Sequence, residues 1–118
     1  MILNGLTVAD ADGVHGDDWC WPKVRMRIVA KEKGTELRIG VWLKPEPLSP
    51  SRVALTFQTD NMPRTTRFVP FGQPVELSFP VAMNPAEELG VEITCENRVT
   101  SGDDHRELSF SLMSLVLM

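Results

Sequence analysis

The chain has 118 residues and a formal net charge of −4 at pH 7, with acidic and basic side chains mixed along its length. That length prescribes a single domain, residues 1–118, with enough chain to bury a core without staples. No basic stripe marks a nucleic-acid binder and no apolar run approaches bilayer length, so a cytoplasmic protein with no nucleic-acid partner and no membrane insertion is expected.

The N-terminal "MILNGLTVADADG" lacks the cationic start and continuous apolar run of a secretory signal. It leads into "DGVHGDDWCWP", residues 12–22, where Asp and Gly predict turns ahead of the first long strand. Asp10 and Asp12 begin like a calcium loop, yet the glycine falls too early and the position-twelve carboxylate is missing, so the EF-hand register fails. An irregular calcium site built from these carboxylates and backbone carbonyls stays open beside the solvated-turn reading. Cys20 and Cys95 fit no metal-ligand spacing and read as two half-buried thiols, with a bridge between them left open by the sequence.

Strand patterning follows. In "VRMRI", Val24, Met26 and Ile28 alternate with Arg25 and Arg27, a period of two that buries one face and wets the other. After the turn "KGTE", the segment "LRIGVWL" places Leu37, Ile39, Val41 and Leu43 on one face, and the two segments predict a hairpin. "KPEPLSP" is a connection, since proline has no amide to donate to a ladder. "VALTF" and "VELSF" turn Val53, Leu55 and Phe57, then Val75, Leu77 and Phe79, inward, with a turn at "TDNMP" and a short strand around Phe68 between them. "NPAEELG" predicts the one helical turn, with Asn84 as N-cap, Pro85 first and Gly90 as terminator.

"VEITCE" and the closing "LSFSLMSLVLM" complete about eight strands. The expected fold is an all-β antiparallel β-sandwich, jelly-roll-like or else immunoglobulin-like. In the last strand Leu108, Phe110 and Leu112 share one parity, while Met113, Leu115 and Leu117 take the other, the register slip of a β-bulge.

No nucleophile, base and orienting group share a motif, and His15 and His105 stand alone, so a catalytic site is not expected. Candidate ligand contacts come from the outward parity instead. Trp42 and Arg38 on one strand, with Arg25 and Arg27 on its expected partner, suit a sugar platform in which C–H faces stack on indole and guanidinium donors reach hydroxyls. Trp21 is the second aromatic placed to meet a ligand, whereas Trp19 is expected to close the end of the core.

The residues 101–117, "SGDDHRELSFSLMSLVL", resemble the D-x-R-x-L-G ending and alternating last strand of small β-sandwich accessory domains of bacterial glycosyltransferases and polysaccharide-handling proteins. "DGVHGDDWCWPKVRMRI" and "LRIGVWLKPEP" resemble their opening and following strand, although Ser109 stands where those domains usually carry glycine. The resemblance implies a carbohydrate-binding-like, non-catalytic module, with a glycan as ligand and a glycosyltransferase or other protein, or a second copy, as partner. It also implies structural roles for Trp19, Asp104, Arg106 and Leu108, with Asp104 and Arg106 clasping the turn into the last strand. The alternative is a protein-interaction or oligomerisation module of the same fold.

Overall fold

The computed structural model describes residues 1–46, 49–99 and 108–118. Among these the regular structure is all β: β1 (Ile2–Asn4), β2 (Leu6–Val14), β3 (Trp19–Ala30), β4 (Gly34–Trp42), β5 (Arg52–Thr59), β6 (Met62–Pro70), β7 (Val75–Met83), β8 (Glu88–Cys95) and β9 (Phe110–Leu117). Hydrogen bonding runs in the order β6-β5-β8-β3-β9-β4-β7, with β2 added to β3 and β1 to β9. Among the named pairs only β1 on β9 is parallel. The path folds over where Trp19 and Cys20, the first residues of β3, pair with Ser111 and Phe110 of β9. The two halves then face one another as a sandwich-like, nearly closed domain.

The inward parity fills the space between the halves. Val24, Met26, Ile28, Leu37, Ile39, Val41, Leu43, Leu55, Phe57, Leu77 and Phe79 are all buried, as their alternation requires. Phe57 of β5 and Phe79 of β7 stack across the layers with ring centroids 4.0 Å apart. Where β6 and β7 approach, the Arg67 guanidinium lies 5.2 Å from the Phe79 ring centre. The bulge in the last strand is present: Gly40 pairs with Ser114 and Val41 with Leu112, leaving Met113 as the extra residue. Met113 faces outward and is exposed, while Leu115 and Leu117 resume the inward face.

Four expectations change. β3 and β4 are not a hairpin: β3 pairs with β2, β8 and β9, and β4 with β7 and β9. The short link 31–33 carries the chain from one layer to the other, and Lys31 N–H donates to Gly5 O at 2.9 Å as it leaves. The acidic stretch before β3 is part strand and part turn: Asp18 N–H donates to His15 O at 3.0 Å and closes the expected turn over Gly16 and Asp17, but the turn does not reach back to Asp12. Asp10 and Asp12 lie inside β2, paired with Arg27 and Arg25, and two register shifts accommodate the segment on β3. The short strand around Phe68 extends to nine residues.

"NPAEELG" is not helical either. Glu87 N–H donates to Asn84 O at 3.1 Å, closing a four-residue turn with Pro85 second and Ala86 third, and Gly90 lies within β8. Ala86 has φ of 69°, the left-handed value a type II turn demands at that position. Removing its Cβ is therefore expected to stabilise the fold: Ala86→Gly should raise the unfolding free energy by about 1 kcal/mol. Chemical denaturation checks this, and an unchanged or lower midpoint would count against it.

Cys20 and Cys95 are buried free thiols. Burial pushes Cys20 up to about 12, partly offset by the Leu112 backbone hydrogen bond, and burial likewise raises Cys95. A raised thiol leaves stability intact below the unfolded value of 9.0 and removes it as pH climbs from there towards about 12. Both thiols should resist alkylation in the native protein at neutral pH and react once it is unfolded, as counted by intact mass. Fast native labelling would contradict their burial.

Candidate functional site

The outward parity of β3 carries Trp19, Trp21, Lys23, Arg25 and Arg27 along one line, because Cys20, Val24, Met26 and Ile28 point into the core. Neighbouring strands turn the arginine end of that line into a polar face. One row across the sheet reads Asp12 on β2, Arg25 on β3, Glu92 on β8 and Gln58 on β5. The next reads Asp10, Arg27 and Gly90, with Asp60 just beyond the end of β5.

Gly90 supplies no side chain to the middle of this second row, and the Asp60 carboxylate takes that space. The Asp60 carboxylate accepts the Gly90 N–H at 2.8 Å, while Asp60 N–H donates to Gly90 O at 3.2 Å. A Cβ on Gly90 would stand 2.7 Å from both Asp60 oxygens, so any other residue would expel that carboxylate. The result is a groove of about 540 Å³ lined by Asp10, Asp12, Arg25, Arg27, Gln58 and Asp60 over the Gly90 and Glu92 strand.

Its cations are paired from one side. Arg25 Nε lies 3.1 Å from Glu92 Oε2, Lys23 Nζ 3.5 Å from Glu92 Oε1, and Arg27 Nη2 3.2 Å from Glu88 Oε2. All are solvent-exposed pairs, which hold side chains in place while adding little stability.

The structure separates the sequence-derived candidates. Arg25 and Arg27 line the groove, and Trp21, 45% exposed, follows on the same strand with its ring edge-on to His15 at 5.8 Å. Trp42 and Arg38 are on β4 in the other layer, so the four-residue platform expected from a β3–β4 hairpin does not form. Trp42 is half-buried, meeting Trp19 edge-on at 5.9 Å across Ser111 of β9. Arg38 is held between Glu36 at 3.4 Å and Glu76 at 3.3 Å. The Ser78 hydroxyl donates to Glu36 as well, and that bond, followed by Arg38, holds the Glu36 carboxyl below the usual carboxylate range. Leu108 is buried and bridged to Val99. Asp104, Arg106 and His105 lie outside the described residues.

The candidates missed from sequence are Gln58, Asp60, Gly90 and Glu92, while Asp10 and Asp12, considered there only for calcium, line the same groove. Their signal was present in "ELGVEITC", whose outward parity is Glu88, Gly90 and Glu92, the charge complement of Arg25 and Arg27. Among the described residues no group of three or more His, Cys, Asp or Glu side chains is arranged to hold a metal ion.

No protein-family model matches the chain, and no curated protein matches it. Among solved structures, the chain is similar to an exo-β-1,3-galactanase from Phanerochaete chrysosporium with galactose, at 10% identity and a TM-score of 0.47. It is similar also to a variant of that galactanase with β-1,3-galactotriose, at 11% identity and a TM-score of 0.49. Each match covers 92% of this chain and 25% of the galactanase chain, so the chain spans a quarter of the length of those structures.

Proposed function

We propose that the chain is a non-catalytic carbohydrate-binding module, of the kind that serves glycan-assembling enzymes, and that its ligand lies in the groove across β2, β3, β8 and β5. One observation carries this reading: two adjacent rows of planar hydrogen-bonding groups line one groove, with the Asp60 carboxylate seated over Gly90. Vicinal sugar hydroxyls both donate and accept, and such a face offers carboxylates, guanidiniums and an amide side by side. Trp21, farther along β3, adds an exposed indole face on which a sugar ring of a longer chain can stack. An open groove buries little of its ligand, so affinity from a single site is modest.

The non-catalytic part of the reading draws, among the described residues, on where the imidazole and thiol groups sit. His15 packs against Trp21 outside the groove lining, and both thiols are buried.

The test is calorimetric titration with bacterial oligosaccharides, with and without calcium. The Arg25→Ala/Arg27→Ala double variant is expected to weaken binding by about tenfold or more, as two charge-assisted contacts are lost, with an unchanged circular dichroism spectrum. Equal binding by this variant, or silence across the panel, would sink the groove assignment. Product analysis after long incubation should return the oligosaccharide intact.

A second reading, a docking or self-associating module, draws on the apolar residues around β1. Ile2 is 71% exposed, and Leu3, Met113 and Met118 are exposed as well. Sedimentation of the chain alone and with a glycosyltransferase partner discriminates this reading.

A further inference from the structure

We infer that the glycan held in the groove carries N-acyl substituents and that the acyl group enters a separate apolar cleft at the end of β5, an inference that rests on the reading of the groove as a glycan site. The cleft follows from the strand order. β6 and β7 end the hydrogen-bonded path and share no ladder, so only side chains close the seam between them. Midway along β6 the Arg67 guanidinium covers Phe79. Towards the turn between β5 and β6 the seam is lined by Thr59, Met62, Val81, Ala82 and Leu89, and a cleft of about 210 Å³ is left open with Asn61 exposed at its rim.

A buried hydroxyl marks this cleft as more than a packing gap. Among the described residues two hydroxyl side chains are buried, Ser109 and Thr59. The Ser109 hydroxyl donates to Cys95 O at 3.2 Å, whereas Thr59, only 6% exposed, lines the cleft with a hydroxyl that has no hydrogen-bond partner among the described residues and is not sealed off from the opening. Buried polar groups are as a rule satisfied, so the missing acceptor points to a ligand atom. The cleft also adjoins the groove. Thr59 borders both; Asp60 lines the groove, and Asn61, the next residue of the turn, lines the cleft. Its volume lies below the roughly 300 Å³ at which whole ligands are held, so it takes a substituent and leaves the sugar ring in the groove. An acyl amide matches it: the carbonyl accepts from the Thr59 hydroxyl, the N–H meets the Asn61 carboxamide, and the alkyl end lies on Val81, Ala82 and Leu89. A bare sugar hydroxyl would leave the apolar walls wet, and a carboxylate would be desolvated against them.

The experiment titrates the intact domain with β-1,4-linked oligomers of equal length built from glucose, N-acetylglucosamine or N-propionylglucosamine. N-acetylglucosamine oligomers are expected to bind about tenfold tighter than glucose oligomers, from one hydrogen bond and one buried methyl. The N-propionyl forms should gain about threefold more, the effect of one further buried methylene. Thr59→Val keeps the shape and removes the hydroxyl, so the N-acetyl advantage should fall severalfold. Ala82→Phe, at an exposed position on the wall, plugs the cleft and should abolish the advantage. Neither change touches the arginine rows, so glucose oligomers should bind both variants as they bind the parent, which also reports that each variant is folded. Equal affinity for glucose and N-acetylglucosamine oligomers, weaker binding of the N-propionyl forms than of the N-acetyl ones, or an advantage that survives in both variants would each overturn the inference while leaving the groove reading standing. No binding by any oligomer would bring down both.

Discussion

Phe57→Ala is expected to destabilise the domain by about 3–5 kcal/mol, the cost of emptying a close-packed aromatic site. Phe57 and Phe79 are both almost wholly buried and stack at 4.0 Å, so a truncation at Phe57 strips one face of the Phe79 ring. The contact joins β5 to β7, strands of opposite layers that share no hydrogen-bonded ladder. Since small domains are held by only about 5–15 kcal/mol, a large share of the folding free energy is at stake. Urea unfolding measures it. Phe57→Leu, which refills much of the volume, should recover more than half, and a loss below about 1 kcal/mol for the alanine variant would mean that the layers are not clamped here.

Gly5→Ala should cost at least about 2 kcal/mol for a different reason, backbone conformation. Gly5 has φ of 76° where the chain leaves β1 on one layer and enters β2 on the other. An added Cβ would lie 2.4 Å from the Leu117 carbonyl oxygen, which belongs to backbone and cannot rotate away. Strain and collision add, and the Lys31 N–H bond to Gly5 O goes with them. A thermal midpoint equal to that of the parent would refute this account.

The strands were legible because alternation reports a two-faced environment, whatever the partner. Leu37, Ile39 and Val41 are inward whether β4 pairs with β3 or with β7 and β9. Pairing itself was not legible from proximity in sequence, and the hairpin expected between β3 and β4 failed for that reason. Charge carried the missing information: the outward residues of β8, Glu88 and Glu92, complement Arg25 and Arg27, whereas Arg38 on β4 repeats their sign. The candidate site suffered in proportion. Arg25, Arg27 and Trp21 were identified by parity alone, but Trp42 and Arg38 were joined to them only through the wrong partner strand. "NPAEELG" misled because Asn-Pro followed by acids suits a helix start and a tight turn equally well, and only the left-handed Ala86 decides between them.

The placement of β9 bears on how the chain comes to be folded at all. Although last in sequence among the strands, β9 sits between β4 on one side and β1 with the start of β3 on the other. Both of those edges stay unpaired until the ninth strand has been made and folded back between them. Neither layer can close before β9 is available, so folding is dominated by distant pairings, in the millisecond-to-second range typical of such topologies. Until β9 arrives, Leu37 and Ile39 of β4 lack the neighbouring strand that covers their edge, which leaves an apolar strand open to wrong pairing during folding.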